Sequence, residues 1–248
     1  MDLKLHLESH HAKSSAKYIK NIIYGGIDGI ITTFSIIAAC FGANLGIKYI
    51  ISMGVANLIA DGFSMGFGDY ISSFFEAQYI LSEANKESIE FITNNEFELN
   101  EMVELYKQEG IEFEDSQKIV NILISKEKYK PFFIKSMVSM ELGLEIPDDN
   151  YKVQIKKEAM VTFGSFVIFG FIPLIIYIIS NWCNYYHQNN IFIIDCFITL
   201  LTIIGLGYTQ AHITKQSKLM GCVILTINGI ISTSIAFAIG YGLEKAIH

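Results

Sequence analysis

Five apolar runs of membrane-spanning length punctuate the chain, and polar positions break them sparsely. The first runs from Asn21 to Phe41 and holds one charge, Asp28, in YGGIDGIITTFS. A short loop, Gly42 to Lys48, turns the chain back. The second is Tyr49 to Glu76, YIISMGVANLIADGFSMGFGDYISSFFE, in which Asp61, Met65 and Asp69 recur every four residues and Glu76 follows seven later. On a helix these positions share roughly one face. No breaker follows, so the pattern predicts one helix continuing past the bilayer. Residues 50–85 alone would extend about 50 Å, against a hydrocarbon core of roughly 30 Å. The third run, Ala159 to Ser180, is uncharged and holds Pro173, which can kink it. The fourth, about Ile191 to Ala211, carries Asp195 near its start, where the reading is a headgroup-level residue. The fifth, Leu219 to Leu243, is uncharged and contains Asn228 and Gly229.

Between the second and third runs, residues 83–157 form the one portion able to fold in water. Its punctuation predicts four short helices: an extension to about Ile92 ended by Thr93-Asn94-Asn95, then 96–109 closed by Gly110, 114–125, and 128–142 closed by Gly143. The predicted fold class is therefore an all-α membrane protein of five transmembrane helices, with a helical domain inserted between helices 2 and 3. The divisions are a tail at 1–20, helices 1–2 over 21–82, the inserted domain over 83–157, and helices 3–5 over 158–248.

Composition supports this. Hydrophobic residues make up 51% of the 248, and mean hydropathy is +0.38, which marks an integral membrane protein. The first 20 residues are polar and show no cleavable signal peptide. The net charge of -7 is concentrated: from Tyr79 to Glu158 there are 17 acidic residues against 10 lysines. Every one of the 18 basic residues is lysine. Without arginine forks, nucleic acid is not an expected partner. Cys40, Cys183, Cys196 and Cys222 lack CxxC spacing and read as buried thiols. His6, His10 and His11 cluster near the N-terminus, where the reading is a mobile cytosolic tail rather than a metal site. Lysines flank the N-terminus, the start of the inserted domain and the loop with Lys215 and Lys218. The positive-inside rule then places the N-terminus and residues 83–157 in the cytosol and His248 in a lumen or outside.

The chemistry lies in the acidic residues. A lone carboxylate in a membrane span is costly unless protonated, paired or bound to a cation. Asp28 therefore reads as an ion-pathway ligand in preference to a helix cap, with Gly25, Gly26 and Gly29 clearing space around it. In the inserted domain Glu87 and Glu90 are three apart before the TNN turn, and Glu98 and Glu101 are three apart after it. A hairpin there lets four carboxylates converge. Met137 and Glu141, four apart on the last helix, would add a thioether and a fifth carboxylate. Spacing alone leaves two readings open, a solvated acidic face and a site for Fe²⁺, Mn²⁺, Co²⁺ or Zn²⁺.

The segments YGGIDGIITTFSIIAAC and GVANLIADGFSMGFGDYISS, with ESIE, ELNEMVELYKQEGI and MVSMELGLE beyond them, resemble the vacuolar iron transporter family over nearly the whole stretch from Tyr18 to Gly242. The resemblance implies a homodimer whose pathway lies between subunits. It implies transport of Fe²⁺, often also Mn²⁺, from cytosol into a vacuole, endoplasmic reticulum or similar compartment in exchange for protons, serving iron storage and detoxification. By motif it makes Asp28 and Met65 pathway ligands, and Glu87, Glu90, Glu98, Glu101, Met137 and Glu141 the cytosolic metal set. Many members carry glutamate where this chain has Asp69. Whether Asp61, Asp69 and Glu76 ligate metal, relay protons or stabilise packing stays open. No permanent cofactor and no enzymatic activity are expected, and the partners are a second copy of the chain, lipid and metal ions. HExxH is absent and the core spans hold no histidine, which disfavours a metal-dependent hydrolase. The rival reading is a membrane-anchored metal sensor or storage protein. Asp28, Asp61 and Met65 deep in the membrane disfavour it, because an anchor has no use for them.

Overall fold

The computed structural model describes residues 18–185 and 187–247, together with the helical backbone of 3–17. The candidate histidine cluster His6, His10 and His11 lies outside the described side chains. Eight α-helices follow in order: α1 (Leu3–Gly42), α2 (Ile47–Thr93), α3 (Asn95–Gln108), α4 (Phe113–Ile124), α5 (Lys130–Glu141), α6 (Tyr151–Trp182), α7 (Gln188–Ile213) and α8 (Lys218–Ile247). A single 3₁₀ turn, Glu127–Tyr129, precedes α5. There is no strand among the described residues. Five helices are long and apolar enough to cross a membrane: the part of α1 from Tyr18, and α2, α6, α7 and α8.

The chain divides into two compact units, residues 1–70 with 156–248, and residues 71–155. In the first unit α6 is the surface on which α1 and α2 settle. A side chain at Gly29 would strike the backbone of Phe166, and one at Gly25 would strike Ser165 and Thr162. On α2, Gly62 and Gly66 lie against Phe163, Phe166 and Val167 of α6, and Gly54 lies against Leu174. Gly170 of α6 meets Leu58, the Gly29 carbonyl and the Thr33 hydroxyl, so three helices share one point. The glycines of α1 thus admit a neighbouring backbone, where the sequence reading had them clearing room for an ion. Close approach of this kind is how helices gain packing energy where lipid removes the hydrophobic drive. Ile37, Ile50, Leu58, Phe166, Leu174 and Tyr177 fill the core beside these contacts. Pro173 is accommodated within an unbroken α6.

The fourth run departs from its sequence reading at one residue. Asp195 does not reach out to solvent or headgroups; other helices enclose it and it is fully buried. α7 begins at Gln188, so Asp195 lies about two turns inside it.

In the second unit α2 ends at Thr93, a bend at Asn94 follows, and α3 starts with Glu96 and Glu98 in its first turn. Carboxylates there complement the positive end of a helix. α3 stops in a Schellman arrangement: the Gly110 amide donates to the Lys107 carbonyl and the Ile111 amide to the Tyr106 carbonyl, with Gly110 at φ +93°. Only glycine takes that conformation without strain. Phe91, Met102, Val103, Val120, Phe133 and Met137 form this unit's apolar core.

Overpacking at the shared point gives a test. Gly170→Leu should lower the thermal unfolding temperature of the purified full-length protein, at a cost of about 1–3 kcal/mol. Gly164→Ala, at a helical position with open space around it, should leave it unchanged or slightly raised.

Candidate functional site

α1 and α2 pack on α6 with their glycine faces, and this turns the adjacent faces of both helices towards open space. A cavity of about 250 Å³ is lined by Asp28 and Thr32 of α1, Asp61, Ser64 and Met65 of α2, and Phe166 of α6. It shares Asp28, Thr32 and Asp61 with a larger cavity of about 700 Å³. That second cavity adds Tyr24 and Ser35 from α1, Asn57 from α2, Gln210 from α7, and Asn228 and Ser232 from α8. Asp28, Asp61 and Met65 are therefore brought together. Thr32 donates to the Asp28 backbone carbonyl at 2.7 Å, which leaves the Asp28 carboxylate free to face the cavity. Asn57 Nδ2 donates to Asp61 Oδ2 at 2.6 Å and orients that carboxylate. No lysine or histidine lines either cavity. Two carboxylates, a thioether and several neutral oxygens without a counter-charge make an environment for a cation. The sulfur tilts it towards a borderline-soft divalent metal rather than Mg²⁺ or Ca²⁺.

The rest of the stripe on α2 is placed differently. Asp69 accepts hydrogen bonds from Thr162 Oγ1 at 2.8 Å and Asn21 Nδ2 at 3.4 Å, so it ties α2 to α6 and α1. Glu76 belongs to the other unit and is exposed.

A second carboxylate set lies in the 71–155 unit. α2 has 47 residues, about twice the number that a bilayer crossing needs. Its apolar stretch ends near Glu76, so the end carrying Glu87 is beyond a bilayer-length span. Oxygens of Glu87, Glu98 and Glu141 lie within 4.8 Å of one another. Glu87 and Glu98 are buried, and Glu141 is exposed at the mouth. Glu87 Oε2 has no hydrogen-bond partner. Burial, reinforced by the charges of Glu141, Glu90, Glu98 and Glu101, pushes the Glu87 carboxyl up to about 7. Burial also raises Glu98 and Glu141, again reinforced by neighbouring carboxylates. Glu90 is exposed and Glu101 half-buried, both close enough for their charge to act on Glu87. Met137 sits wholly in the apolar core, one turn before Glu141. The tight group is thus three glutamates, with Glu90 and Glu101 around it and Met137 beneath it.

The sequence pattern of the VIT family matches residues 19–241, nine-tenths of the chain and all five long helices. The chain belongs to the VIT family. Among its relatives is a protein named vacuolar iron transporter from Toxoplasma gondii, 32% identical over 97% of this chain and 79% of its own. One of the same name from Plasmodium falciparum is 32% identical over 99% of this chain and 89% of its own. Vacuolar iron transporter 1 of Arabidopsis thaliana is 29% identical over 94% and 88%.

Within this VIT chain the residues that sequence reasoning missed are the neutral amides Asn57, Gln210 and Asn228. Asn57 carried a signal, being one turn before Asp61 on the same stripe. Asn228 carried a weaker one, as a lone amide in an uncharged run. Gln210 had none, since it falls at the end of its run beside polar residues.

The raised carboxyls of the second set tie its stability to pH. Their folded values exceed the ordinary carboxylate range, so the stability they contribute is present at low pH and lost as pH rises towards 7. Without metal, amide exchange across 87–141 in the full-length protein should therefore be faster at pH 8 than at pH 5.5 beyond the intrinsic change. Added Mn²⁺ should slow it, and more at pH 8 than at pH 5.5. Glu87→Gln should remove much of the pH effect.

Proposed function

We propose that the chain carries Fe²⁺, and with it Mn²⁺, Co²⁺ or Zn²⁺, from the cytosol into a vacuole-like or other internal compartment, in exchange for protons. The observation that carries this reading is the meeting of Asp28, Asp61 and Met65 around cavities without a positive side chain, on helices long enough to span a bilayer. Relatives named vacuolar iron transporter support the cargo and the compartment. That relation supports a transporter in preference to an enzyme, and the reading takes storage and detoxification of iron as the physiological role.

Proton exchange follows from the ligands. A carboxylate pair in a low-dielectric site holds either protons or a divalent cation, because holding both leaves excess positive charge uncompensated. Acidity on the compartment side protonates Asp28 and Asp61 and releases the metal. The return of the emptied site carries protons to the cytosol. Met65 is not titrated, so it discriminates among metals without competing for protons. The glutamate set of the 71–155 unit captures ions on the cytosolic side, the orientation that the lysine-bearing flanks favour.

A homodimer completes this reading. Asp61 is exposed in the single chain, beside exposed Ile59, Phe63 and Phe67 on α2. A carboxylate on a membrane-length helix does not face lipid. A twofold axis along this face covers the apolar side chains and sets Asp28, Asp61 and Met65 opposite their copies.

Reconstituted vesicles test the proposal. With an acidic interior, wild type should take up Fe²⁺, and Asp28→Ala and Met65→Ala should each lower the rate by about tenfold or more, the scale on which ligand-shell losses act. Glu98→Gln should weaken uptake without abolishing it. Full uptake by both cavity variants, or metal binding by wild type without any flux, would return the reading to a membrane-anchored sensor or store.

A further inference from the structure

The cavity around Asp28 leaves one buried carboxylate of the membrane unit unused. Asp195 of α7 has no solvent exposure. One oxygen accepts a hydrogen bond from Thr199 Oγ1 at 3.3 Å, and the other, Oδ2, has no partner. Tyr177 of α6 is equally buried, and its hydroxyl also has no partner. Tyr177 packs in one core cluster with Ile191, one turn before Asp195 on α7, which puts the carboxylate within electrostatic reach of the phenol. Two unpartnered buried polar groups side by side are a costly arrangement that apolar packing would have avoided.

We propose that Asp195, with the Tyr177 hydroxyl beside it, is a proton-binding site of the membrane unit, separate from the metal cavity, and that it takes up and gives back a proton in each transport cycle. The proposal rests on the proton-exchange reading above and assigns that reading a second carboxyl.

Three observations support it. First, no cation compensates Asp195. The other titratable groups reaching this pair among the described residues are Cys40 from α1 and Cys196 from α7, both thiols. A carboxylate so placed is stable when neutral, and a proton is the simplest ligand that makes it so. Second, the surroundings do not suit a metal. Among the described residues no three carboxylate, thiol or imidazole ligand atoms converge here, whereas they do at Glu87, Glu98 and Glu141. Third, the place is distinct from the cavity. Cys40, which neighbours Tyr177, is twelve residues beyond Asp28 on α1, about 18 Å along the helix. Asp195 lines neither cavity. This proton site and the metal cavity therefore lie apart along the helices, and the Asp195 end adjoins the loop before α7.

The step is an acid–base exchange without electron transfer. A hydronium from the compartment side gives its proton to Asp195 Oδ2, forming one O–H bond and leaving water. The bond breaks when the site opens to the other side, with the proton passing to water and the carboxylate restored.

The test uses the full-length protein in vesicles with two readouts. In infrared difference spectra, wild type should show a carbonyl stretch of a protonated carboxylic acid that Asp195→Asn removes and Tyr177→Phe shifts. In flux, wild-type Mn²⁺ uptake should rise clearly on imposing an acidic interior. Asp195→Asn should respond to the gradient clearly less than wild type, keeping only the share that Asp28 and Asp61 supply, Tyr177→Phe should fall between the two, and Asp195→Glu should restore part of the response. Absence of the band in wild type, or a wild-type gradient response in Asp195→Asn, overturns the proposal and leaves antiport intact. A wild type that itself ignores the gradient overturns antiport and this proposal together.

Discussion

The meeting of α1, α2 and α6 at Gly170, where no side chain fits, sets the geometry of the membrane unit. Gly29 of α1 lies at the Phe166 backbone, and Leu58 of α2 reaches Gly170 from the other side. Because α1 and α2 spend their small-residue faces on α6, the faces that carry Asp28, Asp61 and Met65 are left turned to a cavity. The helices α7 and α8 add polar but uncharged groups to the larger cavity, Gln210, Asn228 and Ser232. A polar interior of this kind is retained only where something polar passes or binds, since each such group costs free energy among apolar helices.

Both carboxylate sets follow one electrostatic rule. Asp28 with Asp61, and Glu87 with Glu98 and Glu141, are like charges held together with no cation of the protein's own. Surface pairs show the contrast. Lys86 with Glu83, Lys107 with Glu104, Lys118 with Asp115 and Lys130 with Glu127 are local ion pairs on exposed helix faces. Lysine is thus placed where water already screens charge and kept from the sites where carboxylates repel. Repulsion and burial hold protons on the second set, raising Glu87 to about 7. A divalent ion relieves the same repulsion, so metal and proton compete for one set of oxygens.

Much of this was legible in the chain. The 47-residue α2 could be read because nothing between Tyr49 and Thr93 breaks a helix, and Gly110 and Gly143 marked ends that do carry positive φ. The convergence of Glu87 with Glu98 followed from the hairpin of α2 and α3 at Asn94. Tertiary partners were not legible. Periodicity gives the face of a residue on its own helix and not which helix covers that face. Gly25 and Gly29 consequently read as room for an ion, whereas α6 fills the space. Asp195 read as an interfacial residue because it stands near the start of its run, yet packing of other helices on α7, which the run does not reveal, buries it. Gln210 is invisible in one dimension, since only folding brings α7 beside α1 and α8.

The central claim is that these uncompensated carboxylates bind a divalent metal in place of protons. Counting protons released when full-length protein is titrated with Mn²⁺ in weak buffer tests it most directly. The account expects net proton release at about pH 6.5 that falls towards zero by about pH 8.5, where Glu87 is already ionised. Saturable Mn²⁺ binding with no proton release across that range would contradict it.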